Sequence, residues 1–228
     1  MDKSRRQARL DRRKAEQRRN QMRWLVYIVV AAVVVTAVLI FANRVRTPEE
    51  RQYTQKNGNQ LGDPDASLTL VEYADFQCIH CYNYFAQTQE TVIENHVDTG
   101  EILYELRIMD YGGVESQASA EAAYCAADQN LFWEYHDVVF ANFSSGNNGG
   151  YSESRLIEFA TTAGLDTAQF TNCLESDEKL AVLEQNRADA LASGVSGTPA
   201  FVLNGELISG GNLPYIQLQQ AIQAALGQ

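Results

Sequence analysis

The fold is decided by the stretch Gly62-Asp-Pro-Asp-Ala-Ser-Leu-Thr-Leu-Val-Glu-Tyr-Ala-Asp-Phe-Gln-Cys-Ile-His-Cys81. Within it, the apolar run from Ser67 to Ala74 has the length and composition of a buried β-strand, with turn residues before it. A helix is predicted to follow at once, because apolar positions recur at helical spacing as far as Val97. The stretch therefore predicts a strand that leads two cysteines into the first turn of a helix.

The segments downstream complete an α/β pattern. Ile102–Met109 is a second predicted strand, and the order strand, helix, strand is typical of parallel pairing. Residues 112–193 have a helical pattern. Two further short strands, at 200–203 and 206–209, flank an Asn-Gly pair that predicts a β-hairpin. A final helix opens at Pro214. We therefore predict an α/β fold with a helical insertion over about 112–193.

Charge is distributed very unevenly along the 228 residues, whose net charge is −11. Residues 1–23 hold ten Lys or Arg against three Asp or Glu, whereas residues 47–228 hold six against 26. Between these regions, Trp24 to Ala42 contains no charged residue. As a helix this run would span roughly 28 Å, close to the hydrocarbon thickness of a bilayer. We predict a transmembrane anchor over 24–42, which excludes a cytosolic monomer.

A cleaved signal peptide is the alternative for this segment, and its apolar region is usually about 7–15 residues long. Here the run is longer, the basic head is longer, and Ile40-Phe41-Ala42 fits a cleavage site poorly. Because Lys and Arg beside a first membrane helix stay in the cytoplasm, residues 1–23 are predicted to be cytoplasmic. The chain is thus expected in the cell membrane as a single-pass protein, with the rest extracytoplasmic. Topology accounts for the basic head, so no nucleic-acid partner is expected.

The part of the chain after the anchor divides into two further segments. Residues 43–60 are polar and show no hydrophobic periodicity, which predicts a linker. Residues 61–228 are numerous enough for one domain with a sizeable core.

Reactive chemistry concentrates at Cys78-Ile79-His80-Cys81. Two thiols with this spacing can close a small disulfide, and Cys78 faces the unpaired N–H groups and positive dipole of the helix start. An imidazolium at His80 would favour the same thiolate. Because the thiolate is the form that attacks disulfides, the pattern predicts a redox-active pair.

Two other kinds of site also use paired cysteines. A zinc site needs four ligands, but Cys125 and Cys173 are isolated in the sequence, so no metal is expected. An inert structural disulfide remains open as the alternative to redox catalysis. Cys125 and Cys173 form either a disulfide or two buried thiols, and an oxidising compartment with an even cysteine count favours the disulfide.

Four motifs resemble the DsbA-like thioredoxin-fold thiol–disulfide oxidoreductases, specifically their membrane-anchored bacterial forms. The first motif is the stretch 62–81, and the others are Ala122–His136, Phe170–Ser176 and Gly194–Gly205. The resemblance extends over nearly all of 61–226, and these four motifs carry it. The resemblance implies a thioredoxin fold with a helical insertion, in agreement with the predicted element order. Ile79 departs from the well-known prototype, which has Pro there, and this leaves the redox potential undetermined.

The resemblance also implies a role for each residue of the site. By position, Cys78 is the nucleophile and Cys81 the resolving cysteine. Pro199 matches the cis-proline that faces the active site and exposes the Thr198 backbone to an extended substrate. Glu72, six residues before Cys78, matches a buried acid that would relay the proton of Cys81. A disulfide between the other two cysteines is implied as well.

We therefore predict a membrane-tethered thiol–disulfide oxidoreductase that introduces disulfides into exported proteins. Its redox-active disulfide Cys78–Cys81 requires no cofactor, and its partners are exported cysteine-containing proteins. By family analogy, a membrane protein of the DsbB or VKOR type would reoxidise the pair. Two alternatives stay open: a reductase or isomerase of the same fold, and a non-catalytic membrane-anchored binding domain with an inert disulfide.

Overall fold

The computed structural model describes Arg18 and residues 20–38, 44–49, 51–53 and 55–227. The chain divides into two compact units, Met1–Arg44 and Val45–Gln228. In the first unit, helix α1 (Asn20–Val38) is long and apolar enough to cross a membrane, with a mean hydropathy of 1.9. It is thus a candidate membrane span. Residues 1–17, 19 and 39–43, which belong to the predicted basic segment, anchor and linker, lie outside the described residues.

The second unit is built on a six-stranded mixed sheet with the order β1-β2-β4-β3-β5-β6. Its strands are β1 (Lys56–Asn57), β2 (Gln60–Leu61), β3 (Leu68–Ala74), β4 (Ile102–Ile108), β5 (Ala200–Leu203) and β6 (Glu206–Ser209). The pair β3 and β4 is parallel, and the other pairs are antiparallel. The predicted α/β class, parallel pair and terminal hairpin are thus all present. Along β4, buried and half-buried side chains alternate, and β3 buries most of its side chains, including the last three. The hydrophobic core therefore packs against these two strands.

A continuous helical stretch follows β3. It begins as α2 (Ile79–Tyr84), passes through a π-helical segment (Phe85–Gln89) and the short α3 (Glu90–Val92), and ends in a second π-helical segment (Ile93–Val97). π-Helical turns are rare and occur frequently at functional sites. Because α2 starts immediately after Cys78, both paired cysteines lie at the carboxyl end of the central strand.

The helical insertion comprises five helices within residues 114–192. They are α4 (Val114–Ala127), α5 (Phe132–Ala141), α6 (Glu153–Thr162), α7 (Thr167–Glu175) and α8 (Leu180–Ala192). A disulfide between Cys125 and Cys173 connects α4 to α7. The final helix α9 (Tyr215–Leu226) returns to pack against β3. These bounds agree with the range predicted for the insertion.

The larger of the two hydrophobic clusters among the described residues extends through the sheet and the insertion. His136 of α5 is fully buried against it, and the centroid of its ring lies 4.9–6.1 Å from the ring centroids of Phe76, Phe85 and Phe140. Phe76 comes from the strand-to-helix connection and Phe85 from the helix that follows it. The insertion is therefore packed directly behind the segment that carries the cysteines.

The structure differs from the linker predicted over 43–60. The backbone N–H of Arg46 donates to Asn142 Oδ1 at 2.7 Å, and Tyr53 Oη donates to Asp137 Oδ2 at 2.8 Å. Lys56 of β1 forms an ion pair with Glu134. The side chains of Tyr53 and Lys56 and the backbone of Arg46 instead bond to α5 and to Asn142 directly after it, so this segment packs on the insertion through polar contacts that need no hydrophobic periodicity. We refer to residues 45–57, as far as the structure describes them, as the N-terminal strap.

Candidate active site

Cys78 is the N-cap residue of α2. Its backbone is extended, with φ −80° and ψ 117°, while its carbonyl accepts the N–H of Tyr82 at 3.0 Å. The half-buried sulfur lies 3.3 Å from the carbonyl oxygen of Thr198. Hydrogen bonds lower the pKa of Cys78 to about 5 although burial opposes them: the largest comes from the Cys81 thiol, and smaller ones come from the backbone N–H of Cys81, the side chain of Thr198 and the backbone N–H of His80. At neutral pH, Cys78 is therefore largely a thiolate.

Cys81 lies one helical turn further on and is only 1% exposed. Its sulfur accepts the backbone N–H of Asp75 at 3.4 Å. Burial, followed by its hydrogen bond to Cys78 and the charge there, raises the pKa of Cys81 far above its ordinary value. Both cysteines are free thiols in this structure, which represents the reduced form. The pair is thus electronically asymmetric, with one anionic and one neutral sulfur.

Two further predicted residues lie beside this pair. The Thr198–Pro199 peptide bond is cis, and it brings the Thr198 carbonyl to Cys78 just before β5 begins. His80 contributes its backbone N–H to the thiolate, while its side chain is exposed. The contribution of His80 to the low pKa of Cys78 is thus a backbone N–H at the helix start, whereas the sequence had predicted a contribution from its imidazolium.

Glu72 is buried on β3, with 2% of its surface exposed. The hydroxyl of Tyr104 donates to its carboxyl group, and Gln89 Nε2 donates to Tyr104 Oη at 3.2 Å. Burial raises the pKa of Glu72 to about 8, with a smaller increase from the charge on Cys78, while the hydrogen bond from Tyr104 opposes the change. Glu72 can therefore hold a proton near neutral pH and release it within the physiological range.

The sequence analysis missed Tyr104, although the sequence contained a signal for it. In the parallel register, Tyr104 pairs with Leu70 and Glu72 pairs with Leu106, so all four residues share one face of the sheet. Alternation along two parallel strands would have placed the phenol diagonally next to the carboxyl group. Tyr84 is also buried beside this pair, and burial, followed by the charge of Glu72, raises its pKa well above the ordinary value while a hydrogen bond with Tyr104 opposes the change.

Potential metal ligands are also present, and one of them, Cys173, was predicted from sequence to form the structural disulfide. Among the described residues, ligand atoms of Asp128, Cys173 and Glu178 lie within 4.8 Å of one another. Cys173 is already bonded to Cys125, so it has no thiolate to offer, and Lys179 forms an ion pair with Asp128. This arrangement does not have the chemistry of a metal site.

The family can now be stated from comparison with known proteins. A family model described as thioredoxin matches residues 54–224. The chain belongs to the thioredoxin family. Its structural neighbours include oxidised BdbD from Bacillus subtilis, with a TM-score of 0.69 at 18% identity over 80% of this chain and all of that one. A thioredoxin-like oxidoreductase from Silicibacter pomeroyi has a TM-score of 0.63 at 28% identity, over 77% of this chain and 96% of that one.

Relatives with curated sequences fall into two groups. A probable disulfide bond formation protein D from Bacillus anthracis is 24% identical over 87% of this chain and 92% of its own length. A Na(+)/H(+) antiporter NhaA from Herminiimonas arsenicoxydans is 31% identical over 65% of this chain, but the match spans only 22% of the antiporter. The predicted thioredoxin fold is thereby confirmed.

Proposed function

We propose that this protein introduces disulfides into exported proteins while anchored in the cell membrane. The observation that carries this proposal is the asymmetry between the two thiols, with the pKa of Cys78 lowered to about 5 and Cys81 held neutral. Because the thiolate exists only in the reduced pair, its stabilisation favours reduction of the disulfide. A disulfide that is favourably reduced is a good oxidant of other thiols.

The exchange proceeds in two displacements. A substrate thiolate attacks Cys78 Sγ of the oxidised enzyme, forming a mixed disulfide and breaking the bond to Cys81, whose sulfur leaves with the electron pair. A second substrate thiolate then attacks the substrate sulfur of the mixed disulfide and releases Cys78 as its stabilised thiolate. The substrate loses two electrons and two protons in total, and the enzyme ends as the reduced pair.

Two groups support these displacements. The Cys81 sulfur leaves into a buried environment where an anion is strongly disfavoured, so it must take up a proton. Glu72 is protonated near neutral pH and is buried in the same site, and we assign it the delivery of this proton. The substrate is an extended segment that runs along Thr198 and Pro199, where proline leaves the strand without an N–H donor.

The location and partners follow from the apolar helix and from the chemistry. Helix α1 supports a single membrane anchor with a cytoplasmic amino terminus, since ten basic residues precede its apolar core. Substrates are then cysteine-containing proteins outside the cytoplasm. Each turnover leaves the enzyme reduced, so an electron acceptor is required, and we assign this role to a membrane partner of the DsbB or VKOR type.

The decisive experiment measures the equilibrium of the Cys78–Cys81 pair with glutathione. We expect a potential above about −180 mV, in the range of oxidising disulfides, and oxidation of a reduced two-cysteine peptide by the oxidised domain. Cys78→Ser serves as the control without activity. A potential near the about −270 mV of thioredoxin would instead support a reductase. A pair without an acidic thiol would support an inert disulfide.

A further inference from the structure

Asp75, which the exchange described above does not use, lies directly beneath the active-site turn. It is 2% exposed, and its Oδ1 accepts the backbone N–H of Gln77 at 2.8 Å. Its Oδ2 accepts the backbone N–H of Gly112 at 3.0 Å and the hydroxyl of Ser116 at 2.7 Å. Both oxygens therefore face donors, an arrangement that satisfies a buried carboxylate.

The main chain of Asp75 contacts both cysteines. Its N–H donates to Cys81 Sγ at 3.4 Å, and its carbonyl oxygen accepts the N–H of Cys78 at 3.0 Å. The side-chain bond to Gln77 closes the same turn from within. Asp75 thus connects the backbone of the two cysteines to the groups that its carboxylate binds, the N–H of Gly112 and the hydroxyl of Ser116.

The carboxylate of Asp75 binds the segment that leads into the helical insertion. Gly112 lies in the connection from β4 to α4, and a Cβ there would approach Gln77 Oε1 to 2.4 Å. From the other side, Asn147 Nδ2 donates to the Gly112 carbonyl at 3.0 Å, and Gln77 Nε2 donates to that of Gly146 at 3.2 Å. Two loops of the insertion are therefore packed on the active-site turn, and Asp75 supplies the charged contact between them and the turn.

We propose that Asp75 is a positioning residue for the thiol pair. Its carboxylate fixes the turn to the start of α4 and thereby holds the first backbone N–H groups of α2 against Cys78 Sγ. This inference rests on the proposed function only in taking Cys78 as the reacting thiol. Asparagine cannot replace the carboxylate, because either orientation of its amide turns the NH₂ toward the N–H of Gln77 or of Gly112 and leaves a donor unpaired.

The test compares Asp75→Asn with the matched control Ser116→Ala in the reduced protein. Ser116→Ala removes one donor but keeps the carboxylate and both of its backbone bonds. The pKa of Cys78 is measured from the ultraviolet absorbance of the thiolate across pH. We expect Asp75→Asn to raise this pKa by about one unit, a tenfold change in the ionisation constant, and Ser116→Ala to change it at most slightly. Both variants lose stability, so stability alone does not distinguish the roles.

Other outcomes would overturn the inference. An unchanged pKa in folded Asp75→Asn would show that the turn holds without the carboxylate, and a lower pKa would show that Asp75 acts as a repelling charge. If Asp75→Asn does not fold, Gly112→Ala tests the same attachment while the carboxylate remains, since the added Cβ would lie 2.4 Å from Gln77 Oε1, 3.0 Å from Ser116 Cβ and 3.2 Å from Gln77 Cβ, so the packing between the turn and the start of α4 must shift. It is expected to raise the pKa as well, and no change would count against positioning. An ordinary thiol pKa in the unmodified protein would contradict the proposed function itself.

Discussion

Cys78 and Cys81 carry the same thiol group one helical turn apart, yet they differ in every property that governs exchange. Cys78 is half-buried at the helix start, where backbone N–H groups point at its sulfur. Cys81 is 1% exposed, and it donates a hydrogen bond to Cys78 that contributes most to the low pKa there. The resolving cysteine therefore helps to make the nucleophile.

Substitution of Cys81 tests this donation directly. Cys81→Ser keeps an O–H donor beside Cys78, whereas Cys81→Ala removes the donor, so the pKa of Cys78 should be higher in the alanine variant. The rate of alkylation by iodoacetamide, measured across pH, reports this pKa. Identical profiles for the two variants would show that the helix start alone stabilises the thiolate.

The low pKa of Cys78 also predicts how pH affects the two redox forms. Because the folded pKa lies near 5, below the unfolded value, the thiolate stabilises the reduced protein above the unfolded pKa. This contribution is lost as pH falls through about 5. Urea unfolding at pH 7 should therefore find the reduced form more stable than the oxidised form, with the difference shrinking toward pH 4. An oxidised form that is more stable at pH 7 would favour a structural disulfide.

Glu72 has the opposite pH dependence. Its folded pKa of about 8 exceeds the unfolded value, so the buried carboxyl group costs stability progressively as pH rises toward 8. Glu72→Gln remains neutral and should gain stability relative to the unmodified protein, on the order of 4 kcal/mol above pH 8 and close to nothing at pH 4. Unfolding in urea at both pH values measures this, and a pH-independent difference would contradict the raised pKa.

At the scale of elements, the unit of β3 and α2 can be predicted from the sequence, whereas the N-terminal strap cannot. The strand β3, the helix start at Cys78 and the Asn-Gly hairpin depend on local periodicity and turn chemistry, so a sequence reveals them. The strap depends on hydrogen bonds to Asp137 and Asn142, which are 84 and 96 residues away. Hydrogen-bond partners at such separations leave no local pattern in the sequence. A polar segment without hydrophobic periodicity therefore predicts a solvated linker even where, as here, it packs on a distant helix.

The same reasoning applies within the candidate site. Cys78, Cys81 and Pro199 belong to short motifs and were identified from sequence. The hydroxyl of Tyr104 reaches Glu72 across 32 residues, and the carboxylate of Asp75 reaches Ser116 across 41. The contact of Asp75 with Ser116 forms only when separate loops come together, so sequence spacing does not reveal it, whereas the contact of Tyr104 follows once the register of the two parallel strands is known.

The strap makes a specific prediction at this scale. Tyr53→Phe removes the hydroxyl that donates to Asp137 and leaves that oxygen without this donor, so the free energy of unfolding should fall by about 1–3 kcal/mol. The control is Tyr111→Phe, whose side chain is 49% exposed and which should change stability by less than about 0.5 kcal/mol. Equal effects of the two substitutions in urea unfolding would mean that the strap contributes little.

At the scale of the whole molecule, the insertion and the thioredoxin core form one folded unit. The disulfide between Cys125 and Cys173 closes a loop of 48 residues inside the insertion, which on the chain-entropy model contributes about 4 kcal/mol. Such bonds persist in oxidising compartments, the environment in which the proposed oxidase would act. The structural disulfide therefore agrees with the proposed extracytoplasmic location of the domain.

That location predicts the topology of the full chain. Cells that express it should retain the protein in the membrane fraction, with the domain degraded by protease added outside and the basic residues 1–23 protected. The physical reason is the excess of Lys and Arg before the apolar helix. A control with the cells opened should lose the protection, and recovery of a soluble exported domain starting near Asn43 would identify the helix as a cleaved signal peptide.

The strap and the antiparallel pair of β1 and β2 also determine where a soluble fragment should begin. In β2, Gln60 and Leu61 pair with Glu105 and Tyr104, and Asn59 exchanges hydrogen bonds with the backbone of Leu106. A fragment that starts at 61 lacks Asn59 and Gln60 and therefore leaves unpaired N–H and C=O groups along this edge of β4. Identical chains can self-associate through such an exposed strand edge. A fragment starting at 45 keeps that edge covered, so the useful expression boundary lies sixteen residues before the position that hydrophobic pattern alone suggests.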